Sequence, residues 1–368
     1  MAIRRVIRKR GPSYVVTWRE SNRRQRSRSF DRKKDAEAFE AKVRIAKRRG
    51  DLDDLDAGKQ KLADFLAEYW RLDAEPRLSP KTLALYKSWR TRHIEPQLGK
   101  VELRRLTPER IVRFQAQLLA DGVGGPTVHK LLVFLQGVLD RAVEWRKIQA
   151  NPVRSVRKAK QPQRRTIHPL GPEEIEKLRG YLLKRDRRRD ATLVAILAYA
   201  GLRPGEALAL TWGDVRQKTL LIDKAVAGGR VQGTKTRQTR TVNLLQPLAA
   251  DLAEWRLTSG RPDDAALVFP TPAGTPWNTH DWQNWRNRVY VPAAEAVGLA
   301  TKRPYDCRHA MTSLLLAEGR NPIEVAEQLG HSPTMTLDTY GHVIDELRGK
   351  PNAPAEARIR AARQRMAV

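Results

Sequence analysis

The sequence predicts a mainly α protein with small β-sheets (α+β): a short N-terminal three-stranded sheet plus helix, a helical domain, and a larger, mostly helical domain with a small antiparallel sheet. Three observations lead there. Long stretches repeat apolar residues three and four apart, the spacing of a helix face. Short alternating segments occur in two places, at the start of the chain and around residues 220–244. The 368 residues suffice for two or three domains, and a 40% hydrophobic content is enough for real cores.

Each element has its own signal. Ile3–Arg8, Tyr14–Arg19 and Gln25–Phe30 read as strands, punctuated by Gly11-Pro12 and Ser21-Asn22. Lys33–Arg49 carries Ala36, Phe39, Val43 and Ala46 at helical spacing. The acidic stretch Asp51–Gly58 reads as a linker. Four helices follow: Leu62–Trp70, one from Ser79-Pro80 toward Trp89, one from Pro108 through Leu119, and Thr127–Trp145, with Gly122–Pro126 as a loop. Asn151–Arg165 has six basic residues, no acidic ones and two prolines, and reads as a basic linker lying on phosphate or as a solvated charge run. A second helical block starts at Pro172, and Leu193–Ala200 is its most buried helix. Leu220–Lys224, Arg230–Gly233 and Thr239–Leu244 alternate like strands of a small sheet. Helices resume at His280 and run to Arg348. The Ala- and Arg-rich end, Gly349–Val368, is expected to be a frayed tail or a helix that docks on a partner. The divisions are therefore 1–55, 60–150, a linker at 151–168, 169–348 and a tail at 349–368.

Charge narrows the function. Lys and Arg number 70 against 41 Asp and Glu, a net charge of +29. The excess is +13 in residues 1–50, +9 in 51–165 and +7 in 166–368. A polyanion partner explains this most simply, because each cation placed on a phosphate releases condensed counterions. An anionic membrane would need an apolar face beside the basic one, and Asn22–Arg28 is polar throughout. One cysteine, Cys307, excludes an internal disulfide framework and a cysteine-based zinc finger. No apolar run approaches a membrane span, and no signal peptide is legible at Met1–Arg5. A soluble protein of the reducing cytoplasm is expected.

Five clusters are candidates for chemistry. Gly201-Leu202-Arg203-Pro204-Gly205-Glu206 puts Arg203 on a stiff turn at the edge of the most buried helix, where it either serves a site or simply pairs with Glu206. Gly228–Thr236 nearly spells a phosphate-binding loop, but Thr234 separates Gly233 from Lys235 and a strand follows instead of a helix, so nucleotide binding is rejected. What remains is a hairpin whose turn presents Lys235. The others are Tyr305-Asp306-Cys307-Arg308-His309, Leu329-Gly330-His331-Ser332, and Thr336–His342 with Tyr340. Each alone is more often a packed core residue than a catalyst.

In this order and spacing the clusters resemble the tyrosine recombinase (phage integrase) family. Its members show an Arg in a Gly-Leu-Arg-x-x-Glu turn, a Lys on a β-hairpin, His-x-x-Arg, a His in Leu-Gly-His, and a Tyr shortly after. The matching positions are Arg203, Lys235, Arg308, His331 and Tyr340, with Glu206 at the family's acidic position. Residues 1–55 and 60–150 look like the family's arm-site-binding module and its helical (SAM-like) core-binding domain, and 169–348 like its catalytic domain. One position departs from the pattern: Tyr305 stands where the family has its first His. A phenol can donate the same hydrogen bond to a phosphate, but it titrates near ~10 and is no base at neutral pH, so that role is expected to fall to another group or to water.

The resemblance implies a mechanism. Arg203 and Arg308 would clamp the phosphate oxygens with permanent charge, His331 would bond the scissile phosphate, Lys235 would protonate the leaving 5′-oxygen, and Tyr340 would attack phosphorus to give a 3′-phosphotyrosyl link. The covalent link conserves bond energy, so neither a cofactor, ATP nor a metal is implied. The implied partners are double-stranded DNA, at core and arm sites, and three further copies of the chain acting on two sites through a Holliday junction. An excision factor or DNA-bending protein is compatible as an accessory, and a location with the nucleoid of a bacterial or phage-infected cell follows. The rival readings are a DNA-binding regulator or architectural protein without chemistry, and a topoisomerase-like nicking–closing enzyme.

Overall fold

The computed structural model describes residues 2–8, 11–19, 25–49, 58–160, 167–233, 239–299, 303–347, 349 and 351–367. It comprises two compact units, Met1–Arg164 and Arg165–Val368.

At the start of the first unit, β1 (Ala2–Arg8), β2 (Gly11–Arg19) and β3 (Gln25–Phe30) form an antiparallel sheet in chain order. Val16 and Trp18, two apart and hence on one face, are buried with Ala36 and Val43 of α1 (Lys33–Arg49). Phe39 of α1 closes this small core, with its ring centroid 5.3 Å from that of Trp18 and 5.2 Å from that of Phe30. The Arg28 guanidinium lies 4.9 Å from the centre of the Phe39 ring.

The rest of the unit is helical: α2 (Leu62–Tyr69), α3 (Glu75–Arg77), α4 (Pro80–Trp89), α5 (Glu95–Leu98), α6 (Pro108–Ala120) and α7 (Gly125–Glu144). Ser79 and Thr107 cap α4 and α6, each side chain accepting a backbone N–H three residues on. The helices that the apolar spacing ends at Trp70 and Trp89 in fact continue. A π-helical turn, Trp70–Ala74, joins α2 to α3, and another, Arg90–Ile94, joins α4 to α5. In each, the residue before a proline donates its N–H five positions back: Glu75 to Trp70 O before Pro76, and Glu95 to Arg90 O before Pro96. A proline inside an α-helix removes a bond and presses its ring on the carbonyl four residues back. One extra residue in the turn lets the helix pass. Buried residues then recur five apart, as Tyr69 with Ala74 and Trp89 with Ile94. The first part of the expected linker belongs to this domain: Val153 and Val156 are buried, and Asn151 donates to Gln136 O at 2.8 Å and Asp140 Oδ1 at 2.7 Å.

The second unit is built around α9 (Arg188–Tyr199), which follows α8 (Pro172–Leu183) and is buried continuously from Asp190 to Tyr199. After α10 (Pro204–Ala209) come β4 (Thr219–Ile222), β5 (Lys224–Ala227), β6 (Arg230–Gly233) and β7 (Arg240–Asn243). They form two antiparallel pairs, β4 with β7 and β5 with β6, so the expected single small sheet is split. The β5–β6 turn is Gly228-Gly229, both at positive φ (61° and 77°), as a tight two-residue hairpin needs. The hairpin seen here thus turns one strand earlier than expected; the 234–238 segment, with Lys235, lies outside the described residues.

α11 (Gln246–Thr258) and α12 (Thr279–Trp285) follow, then a third π-helical turn, Arg286–Tyr290, into α13 (Val291–Ala296), again ending two residues before a proline, Pro292. The last helices are α14 (Cys307–Ala317), α15 (Pro322–Leu329), α16 (Pro333–Leu347) and α17 (Ala355–Ala367). Of the two expectations for the C-terminal segment, α17 agrees with the helix and not with the frayed tail, and in the single chain it packs on its own unit. Ala355, Ile359 and Ala362 are buried, and Arg363 donates to Asp251 at 2.6 Å, Glu176 at 3.2 Å and Pro247 O at 3.0 Å. No helix among the described residues is long and apolar enough to cross a membrane.

Candidate active site

Two glycine-dependent turns frame the site. α9 ends at Gly201, held at φ +64°, where a Cβ would fall 2.4 Å from Leu329 Cδ2. α15 ends at Gly330, held at φ +68°, where a Cβ would meet the Arg240 guanidinium at 3.0 Å. Both positions need the left-handed backbone and lack room for a side chain. These constraints account for the glycines of the Gly-Leu-Arg and Leu-Gly-His motifs.

Arg203, which immediately precedes α10, donates from Nη1 to Glu206 Oε1 at 2.7 Å and from Nη2 to Gly330 O. It therefore makes the ion pair of the bland reading and also reaches the second turn. Glu206, 3% exposed, accepts the backbone N–H of Arg203 at 2.9 Å and both terminal nitrogens of Arg240, at 3.0 and 2.7 Å. Burial opposes its ionisation, but the hydrogen bonds and charge of Arg240, together with Arg203, outweigh that and hold its pKa at about 2. Arg240 was not legible as special among 70 basic residues.

Arg308, in the first turn of α14, is 3% exposed and ties the two turns together: Nη1 donates to Gly201 O and Nη2 to Leu329 O. Burial, then the charge of Arg203, lowers its pKa to about 10, which still leaves it charged at neutral pH. His331 follows Gly330, with Nδ1 3.3 Å from Ser332 O and 3.4 Å from Thr336 Oγ1. Burial favours its neutral form, as do the charges of Arg308, Arg203 and Arg240, against the bond to Ser332 O.

Tyr340 lies on α16, 4% exposed, in a small apolar cluster with Met311, Leu315, Val325, Leu329 and Val343. Its hydroxyl is not stranded among them: it is hydrogen-bonded to Nδ1 of His309. Burial raises the phenol pKa, with Thr312 and Arg308 opposing the rise. Tyr305 is 46% exposed and lies edge-on to His309, ring centres 5.7 Å apart. The structure thus gathers Arg203, Arg308, His331, Tyr340 and Tyr305 in one region, while Lys235 falls outside the described residues. His309 had no role on sequence grounds. Its signal was the four-residue step from Tyr305, which here spans the short turn before α14 and sets the two rings edge to face.

Residues 169–346 match the phage integrase family, and residues 61–119 match the N-terminal SAM-like domain of phage integrases. The chain belongs to the tyrosine recombinase family. Within that family it is 25% identical to the ICEBs1 integrase of Bacillus subtilis over 268 residues, covering 68% of this chain and 71% of the relative. It is 26% identical to the tyrosine recombinase XerC of Mesorhizobium japonicum over 304 residues, 78% of this chain and 91% of that one. Its fold matches that of a lambda integrase tetramer bound to a Holliday junction, with a TM-score of 0.60 at 17% identity over 89% of this chain and 95% of that one.

Proposed function

We propose that this member of the family is a site-specific recombinase that integrates or excises a phage or other mobile element by cutting and rejoining DNA through a 3′-phosphotyrosyl intermediate. The observation that carries the reading is the shared frame of the two arginines. Arg203 and Arg308 both donate to carbonyls of the Leu329-Gly330 turn, so their guanidinium groups are fixed against one another before DNA arrives. The Tyr340 hydroxyl is bonded to the residue next to Arg308.

In this reading the two forks take the non-bridging oxygens of one phosphate, and their charge grows in value as the transition state spreads negative charge over them. One such preorganised contact is worth roughly 2.7–4 kcal/mol of barrier. His331 donates a further hydrogen bond to the phosphate. Lys235 carries a proton to the departing 5′-oxygen. Tyr340 attacks phosphorus, and a free 5′-hydroxyl later reverses the step to reseal or exchange strands. Tyr305 donates a hydrogen bond where the family has a histidine. The bound form is a homotetramer on two duplexes, as the lambda integrase tetramer on a Holliday junction suggests. Arm and core sites engage residues 1–55 and 60–150, and an excision factor or DNA-bending protein is a compatible accessory. Because the Tyr340 side chain is nearly enclosed, DNA docking has to bring its hydroxyl within reach of the phosphorus.

The test is covalent trapping on a nicked duplex bearing the site that this chain selects from a random-sequence pool. The wild-type chain should form an adduct mapping to Tyr340. Tyr340→Phe should bind the duplex with unchanged affinity and form none, because only the nucleophilic oxygen is gone. Non-covalent binding alone by the wild-type chain would instead favour the regulator.

A further inference from the structure

The site described so far lacks a group to take the proton from Tyr340. A phenol that must attack phosphorus at neutral pH has to lose its proton on the way, and Tyr305 is no base there. We propose that His309 is that base: its Nδ1 accepts the Tyr340 hydroxyl proton as the phenolic oxygen bonds to phosphorus, and the Asp306 carboxylate, 3.9 Å from the other ring nitrogen, favours the imidazolium that results. The assignment rests on the recombinase reading and deepens it.

Three observations carry it. First, the imidazole is in place, with Nδ1 hydrogen-bonded to the Tyr340 hydroxyl and the ring centres 5.7 Å apart. Second, Asp306 Oδ1 lies 3.9 Å from Nε2, on the opposite side of the ring. Asp306 is itself held by Arg303, at 3.0 Å to Oδ1 and 3.2 Å to Oδ2. A carboxylate there favours the tautomer with hydrogen on Nε2, which leaves the Nδ1 lone pair for the phenol. Carboxylate, imidazole and hydroxyl then stand in the order that activates a weak oxygen nucleophile. Third, the ring is mostly buried between Tyr305 and Tyr340. The groups facing it are Asp306, which favours the charged form, and Arg303, Arg308 and His331, which with burial disfavour it. Burial first, then these charges, lower its pKa to about 4, so the ring is neutral at pH 7 with its lone pair free, and is a weaker base than a free imidazole.

The step balances. The Tyr340 O–H proton passes to Nδ1, giving an imidazolium beside Asp306. The phenolic oxygen bonds to phosphorus, the bond from phosphorus to the 5′-oxygen breaks, and Lys235 supplies the proton for that oxygen. In resealing, Lys235 takes the proton from the 5′-hydroxyl and His309 returns its own to the tyrosine.

Single-turnover cleavage of the selected nicked duplex, measured against pH, tests this. Wild type should be nearly pH-independent from pH 6.5 to 8. His309→Ala should bind DNA normally, cleave about 10²-fold more slowly at pH 7, and gain about tenfold in rate per pH unit as hydroxide replaces the missing base. Added imidazole should restore part of the rate. Replacing the bridging 5′-oxygen by sulfur gives a leaving group that needs no acid, so it should rescue Lys235→Ala but not His309→Ala. Equal loss at every pH without imidazole rescue would reduce His309 to a packing residue and overturn the proposal. A faster His309→Ala enzyme would do the same, showing that the bond only restrains Tyr340. An adduct formed by Tyr340→Phe would instead overturn the underlying recombinase reading.

Discussion

Glu206 shows how a residue can serve a site without touching substrate. Its one negative charge is shared between Arg203 and Arg240, which orients both and still leaves a net positive charge with Arg308 for the phosphate. Its pKa falls from 4.5 to about 2, so its contribution to stability is complete above the unfolded value and disappears as pH drops from about 4.5 toward 2. The shift corresponds to about 3 kcal/mol at neutral pH. Denaturant unfolding of the full chain should therefore show a steep fall in stability across that window. Glu206→Gln should be less stable at pH 7 and should change less between pH 4.5 and 2. Arg203 and His331 were singled out from the sequence beside glycines that their turns demand, whereas Arg308 and Tyr340, on helices, were singled out by the spacing of the resembling motifs. Arg240 and His309 could not, because their importance lies in partners that are distant along the chain, Glu206 34 residues away and Tyr340 31 residues away.

Helices and strands were legible where one periodicity held throughout. Lys33–Arg49 and Gln25–Phe30 coincide with α1 and β3 because nothing interrupts their pattern. The spacing failed at the π-helical turns, where five residues replace the usual step and a reading at 3.6 residues per turn falls out of phase. Pro76, Pro96 and Pro292 each lie two residues past such a turn. The partner of β7 was hidden for a different reason: it is β4 and not β6, and pairing between strands so far apart in the chain is invisible to local alternation. The placement of α17 was hidden in the same way, since it reaches back to α8 and α11. Its main polar anchor, Arg363, joins Asp251 and Glu176, which also hold Arg179. Arg363→Ala removes one of two cations from a nearly buried carboxylate pair. A full loss of pairing costs about 3–5 kcal/mol; with Arg179 remaining, roughly 2–3 kcal/mol is expected, read as a lower urea midpoint and faster proteolysis within residues 349–367.

For the molecule as a whole, composition already spoke for a polyanion partner, and the uneven charge indicates how the parts divide the work. Residues 1–50 hold 18 basic and 5 acidic residues around a core as small as Val16, Trp18, Ala36, Phe39 and Val43. Deleting residues 1–50 should weaken binding to accessory arm sites far more than to the crossover core. It should also flatten the salt dependence of binding, by about 0.9 in log–log slope for each phosphate those residues neutralise. Competition shifts at two salt concentrations would show it, and equal weakening at both kinds of site would remove the arm-binding role. The catalytic unit depends on a different kind of cohesion. Arg308 is stitched to the carbonyls of Gly201 and Leu329, so the side chain that would grip the phosphate is also the knot between two loops far apart in the chain. An alanine there inflicts two injuries at once, and an inert Arg308→Ala protein would say little about chemistry. Genetic screens for loss of function in this chain should return position 308 often, for reasons that owe as much to architecture as to catalysis.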